Sequence, residues 1–88
     1  MYQDTIEVQN QTGLHARPAA AFVQAAAKFK SNITIEKEAK KANAKSMLAL
    51  LTIGASKGSI VTITAEGEDE AEAVTTLIDL IQSKFGEE

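Results

Sequence analysis

The sequence holds one histidine, one arginine and one proline, and all three fall within Gly13-Leu14-His15-Ala16-Arg17-Pro18. Imidazole is a competent nucleophile near neutral pH, and a phosphoryl group carried on it bears at most about two negative charges. Pro18 suits the first turn of a helix, where a missing N–H costs nothing, and the run Ala19 to Lys30 behind it contains no helix breaker. His15 therefore stands at the mouth of a predicted helix, whose first-turn N–H groups point outward with partial positive charge and would meet an anion placed beside the ring. Arg17 adds a fixed guanidinium. A lone histidine in a small domain is commonly an ordinary surface or core residue. The glycine before it, the arginine after it and the helix start favour a reactive one, and the chemistry they suggest is reversible phosphorylation of His15.

Eighty-eight residues, 44% apolar and 24% charged, are expected to make one domain (residues 1–88) around one small core. There is no cysteine, so disulfides and thiolate metal sites are unavailable. Met1-Tyr2-Gln3-Asp4 has no basic or apolar leader character and no apolar run reaches bilayer length, so a cytoplasmic protein is expected. Six lysines between Lys28 and Lys45 face only Glu36 and Glu38, while eight acids from Glu66 to Glu88 face only Lys84. A net charge of −3 without interleaved arginine and aromatic residues argues against direct nucleic-acid binding. The basic middle would suit an acidic protein partner.

Tyr2 to Gln9 alternates as a strand, with Ile6 and Val8 on one face. Ala19, Phe22, Val23, Ala26 and Phe29 recur at helical spacing, and Ser31-Asn32 stops that helix. Ile33 and Ile35 mark a second strand, and Ala42 and Ala44 are the inward positions of a weak third. Glu38-Ala39-Lys40 lacks any residue that favours positive φ, so a loose loop is expected over 37–41 in place of a tight turn. Ser46 precedes Met47-Leu48-Ala49-Leu50-Leu51 and reads as a helix N-cap. That run is too apolar for one buried face and leaves part of itself exposed. Gly54 and Ser56-Lys57-Gly58 lead to a strand over Ile60 to Ala65. Asp69, with Glu72 three residues on, predicts a capping box for a last helix with a stripe of Ala71, Val74, Leu77, Ile78, Ile81 and Phe85, ended by Gly86. The order strand, helix, strand, strand, helix, strand, helix implies an α+β two-layer sandwich, an antiparallel sheet covered on one face. Ferredoxin-like split βαβ domains share much of that pattern, so fold alone would not give function.

Gly13-Leu14-His15-Ala16-Arg17-Pro18-Ala19-Ala20, with Lys45-Ser46, Lys57-Gly58 and the closing helix in step, resembles HPr, the histidine-containing phosphocarrier family of the bacterial sugar phosphotransferase system. The resemblance spans nearly the whole chain. It implies an open-faced sandwich of four strands and three helices, and a carrier, not an enzyme in its own right, that needs no cofactor and no metal. His15 would take a phosphoryl group on Nδ1 from phosphorylated enzyme I and pass it to enzyme IIA domains. Arg17 would neutralise the phosphoryl oxygens, with Ala16, Thr12 and Pro18 around them, although Thr12 fits a plain loop-stabilising role as well. Met47 and Leu48, with Leu51 at the edge, would be the apolar docking patch. By the same resemblance Ser46 would be open to HPr kinase/phosphorylase, giving a second reading as a regulatory module that binds catabolite control protein A. Neither membrane insertion nor nucleic acid is implied, and a monomer is expected.

Overall fold

Strict alternation sets the sheet. In the computed structural model, which describes residues 1–9 and 13–83, the elements are β1 (Tyr2–Glu7), α1 (Ala16–Ala26), β2 (Asn32–Lys37), β3 (Lys40–Asn43), α2 (Met47–Thr52), β4 (Ile60–Glu66) and α3 (Glu70–Gln82). Val61, Ile63 and Ala65 of β4 are buried, as are Ile33 and Ile35 of β2 and Ala42 of β3. All face the helices because residues two apart on a strand share a side. β4 lies between β1 and β2 and runs antiparallel to both, giving the order β1-β4-β2-β3, with Ile6 opposite Val61, Ile63 opposite Ile35, and Ala65 opposite Ile33. The opposite face is polar, and there Thr5 and Thr62 bring their hydroxyls to 3.2 Å across the β1–β4 ladder.

Phe22 of α1, Leu50 of α2 and Leu77 and Ile81 of α3 close the core over the sheet with essentially no exposure. Each contributes about 1.5–3 kcal/mol by leaving water. This is the expected sandwich, a four-stranded antiparallel sheet with three helices on one side. Among the described residues no helix is long and apolar enough to cross a membrane, and no group of three or more His, Asp or Glu is placed to hold a metal ion.

Four local expectations are corrected. The first helix ends at Ala26, before Lys30, because the chain tightens into i→i−3 bonds from Lys28 N–H to Ala25 C=O and Phe29 N–H to Ala26 C=O. The 37–41 segment is a tight turn: Lys37 pairs with Lys40, and Glu38 takes φ +56 to close the two-residue connection. Ladder pairing on β2 and β3 outweighs the side chain's aversion to that conformation. On α3 the buried stripe runs through Ala73, Val74, Leu77 and Ile81, and Ala71 is exposed. Phe85 and Gly86 lie outside the described residues, and the helix is closed at Ser83.

The fourth correction concerns Asp69. It occupies the N-cap position of α3 without capping it. Its carboxylate instead accepts Lys30 N–H at 2.8 Å, Ser31 N–H at 3.0 Å and the Ser31 hydroxyl. A capping box with Glu72 therefore does not form; Glu70 Oε1 accepts Gly67 N–H at 3.1 Å. The Ser31 hydroxyl first, then Lys30 N–H, hold the Asp69 carboxyl below the ordinary carboxylate range. Gly67, at φ +153, lies so close to Ser31 that a Cβ there would sit 2.6 Å from its Oγ.

Candidate functional site

His15 is the N-cap of α1, with extended backbone at φ −81 and ψ −169. Its carbonyl accepts Ala19 N–H at 2.8 Å and so closes the first helical ring. Its side chain caps nothing and is exposed. Pro18, buried at the third helical position, brings no N–H. The N–H groups of Ala16 and Arg17 are thus the open donors of the first turn, with no partner among the described residues. Arg17 is exposed, and among the described residues neither it nor His15 enters a side-chain hydrogen bond or ion pair. Thr12 lies outside the described residues.

Backbone contacts beneath His15 hold the loop. Leu14, buried, donates its N–H to Ala55 C=O at 3.0 Å. Gly13 sits at φ +62 against the Ala55–Ser56 peptide, where a Cβ would come within 2.6 Å of Ala55 O and Ser56 Cα. Only glycine combines that conformation with that approach. The 54–59 segment is in turn bound to the end of the first strand: Gly58 N–H donates to Val8 C=O at 2.7 Å and Val8 N–H to Ser59 C=O at 2.8 Å.

Helix α2 packs against α1. Ser46, half-buried, caps it as expected, its Oγ accepting Ala49 N–H at 3.2 Å. Leu50 and Ile53 are buried. Leu48 is 75% exposed and Leu51 40% exposed, while Met47 is half-buried against the core. The exposed apolar surface of this helix is therefore made by Leu48 and Leu51 more than by Met47.

The motif reading names Gly13 without its contact and misses Ala55, which accepts the loop's amide, and Lys37, whose Nζ donates to Gly54 C=O at 3.0 Å. For Gly13 the signal was the residue type before a buried leucine. For Lys37 it was the alternation Ile33, Ile35, Lys37. For Ala55 the sequence carries none.

A small four-stranded sandwich with an exposed histidine at a helix entrance defines a narrow class. The family model described as the PTS HPr component phosphorylation site matches residues 2–83, and the chain belongs to this HPr family. Among relatives, the HPr-like protein Crh of Bacillus subtilis is 48% identical over 84 residues, covering 96% of this chain and 99% of Crh. Phosphocarrier protein HPr of Neisseria meningitidis is 41% identical over 87 residues, covering 99% of this chain and 98% of that protein. A crystal structure of HPr from Thermoanaerobacter tengcongensis, 58% identical, superposes with a TM-score of 0.97 over 100% of this chain and 99% of that one.

Proposed function

We propose that the protein is a phosphocarrier that accepts a phosphoryl group on His15 from phosphorylated enzyme I and passes it to enzyme IIA domains in sugar uptake. The observation that carries this reading is the exposed, unbonded imidazole at the entrance of α1, beside the two open amides of Ala16 and Arg17 and the Arg17 guanidinium. In each transfer a ring nitrogen of the acceptor forms a bond to phosphorus as the donor's bond to phosphorus breaks. The amides and guanidinium meet the charge on the equatorial oxygens, so positioning and electrostatics do most of the work. By family likeness the nitrogen is Nδ1. Leu48 and Leu51, with Met47 beside them, give enzyme I an apolar face to dock on. Every residue this reading uses belongs to one chain, so it needs no second copy.

Regulation through Ser46 is supported by a separate observation. Its hydroxyl lies at the N-cap of α2, next in sequence to the docking face, and 48% identity joins the chain to an HPr-like protein described in its own structure as catabolite repression HPr. A phosphate there is tolerated by the helix dipole and adds charge at an apolar contact. Binding of catabolite control protein A after modification by HPr kinase/phosphorylase is the corresponding output, and it coexists with the carrier role because His15 is present.

A labelling assay tests the carrier reading and a binding measurement the role of Ser46. Incubation with enzyme I, Mg²⁺ and labelled phosphoenolpyruvate should place an acid-labile, base-stable label on His15, absent in His15→Ala. Label on a serine would overturn the carrier reading. Arg17→Ala should slow transfer with little change in Tm, since the side chain is exposed and makes no hydrogen bond or ion pair among the described residues. Ser46→Asp should keep the fold and weaken enzyme I binding about tenfold or more, and equal binding of the two proteins at low salt would reduce Ser46 to a cap.

A further inference from the structure

One lysine ties the loop beneath His15 to the sheet. Ile33, Ile35 and Lys37 alternate along β2 on the side that carries the helices, so Lys37 projects from the strand end toward the close of α2 and away from the open face. Its Cα is held by the last rung of the β2–β3 ladder, opposite Lys40, and its Nζ donates to Gly54 C=O at 3.0 Å. Gly54 needs such a tether. It sits at φ +68 with nothing within 4 Å of where a Cβ would lie, so on that side no neighbour restrains it, and glycine's own freedom is the largest of any residue. The adjoining carbonyl, that of Ala55, receives Leu14 N–H at 3.0 Å, and the Gly13 backbone rests on the same peptide. His15 follows Leu14 directly. The far side of this loop is held by Val8 and by the Ser59 hydroxyl, which accepts Ser56 N–H at 2.9 Å. On the near side, among the described residues, Lys37 is the only side chain bonded to the Gly54–Ala55 backbone.

We propose that Lys37 is a positioning residue for His15: by fixing the Gly54 carbonyl it orients the Gly54–Ala55 peptide and, across Ala55, the neighbouring peptide that receives Leu14 N–H, and with it the direction in which the imidazole leaves the loop. The effect on phosphoryl transfer rests on the carrier reading, whereas the effect at Leu14 rests on geometry alone. Lys37→Met keeps the aliphatic stem and loses the donor, and Lys37→Arg keeps a donor. Amide exchange followed by NMR on the full chain should show Leu14 N–H exchanging about 3–10-fold faster in Lys37→Met, the effect of losing one solvent-exposed bond. Val8 and Ile63 amides should hold their wild-type rates, and Lys37→Arg should return Leu14 to within about twofold of wild type. The initial rate of label transfer to His15 should fall about two- to fivefold at constant Tm, as expected of a small misplacement of the nucleophile. Unchanged Leu14 exchange, or acceleration in step with Val8 and Ile63, overturns the proposal. So does a shifted Leu14 with undiminished transfer. If wild type takes no label at all, the carrier reading fails by itself and the exchange arm still decides whether Lys37 orders the loop.

Discussion

The two ends of α1 are held by opposite means. At its C-terminal end side chains do the fastening: Ser31 is 1% exposed and bonded to Asp69, and Lys45 Nζ reaches Phe29 C=O at 2.7 Å. At its N-terminal end the backbone does it, through Leu14 N–H to Ala55 C=O and the Gly13 contact, while His15 and Arg17 keep their side chains in solvent. On the proposed carrier reading, a group that meets one protein and then another cannot be tied up at home. Holding the loop by its peptides leaves the imidazole and guanidinium available, whereas the distal end has no such demand and spends its polar side chains on cross-links between loops.

The contrast breaks most sharply at Gly13. Gly13→Ala should destabilise the protein by about 2–4 kcal/mol, because the added Cβ meets backbone atoms in a conformation alanine avoids. Urea titration measures it, and a loss below ~0.5 kcal/mol, within the range of neutral surface changes, would mean the loop is not pinned by its backbone. Phosphoryl transfer should fall with it.

At the other end the effect is smaller and should leave transfer untouched. Ser31→Ala removes one hydrogen bond to a carboxylate, at a cost of about 1–2 kcal/mol. The same bond gives stability a pH dependence. Asp69 has a folded pKa below its unfolded one, so its contribution is complete above the unfolded value of about 3.9 and is lost as pH falls through the depressed folded value. Glu70 titrates in the same direction, held down by Gly67 N–H and then by the N-terminal ammonium 3.0 Å away. Comparison with Asp69→Asn isolates the Asp69 part: the Tm gap between wild type and variant should be widest near neutrality and narrow in acid. A gap constant from pH 7 to 2 would remove the clamp from the account.

Glu38 gives the smallest effect, and the only one with a gain. Glu38→Gly relieves a positive φ at the first turn residue and should stabilise by about 0.5–1 kcal/mol, read as a higher urea midpoint at unchanged slope. A loss instead would show that the glutamate makes a compensating contribution. Because Lys37 adjoins it, this variant also asks whether a relaxed turn alters the loop under His15.

The sandwich was legible because alternation in β2 and β4 and the apolar spacing of α1 and α3 are signals carried by neighbours in sequence. Ser46 was legible for the same reason, its partner being three residues away. What escaped is non-local or rests on a balance. Asp69 looked like a cap because a carboxylate before a helix usually is one, yet its true partners lie at 30 and 31. The turn at Glu38 reads as loose from residue type, whereas the β2–β3 ladder on either side of it closes it tightly. Ala71 and Ala73 are one residue type at different phases of one helix, and so small a side chain barely marks which of them faces inward. In the site, residue type and spacing singled out His15 and Arg17, but the peptide of Ala55 that receives the loop has no mark in the sequence.

The order β1-β4-β2-β3 places the strand nearest the end of the chain at the heart of the sheet. Until residues 60–66 have left the ribosome, β1 has no neighbour to pair with and β2 has only the short β3, so the nascent chain can form little more than one hairpin and transient helix. The sheet must then assemble through contacts between its most distant segments, a route that is slow for its size and exposes Ile33 and Ile35 in the meantime. During that interval the lysines of β3 guard the open edge.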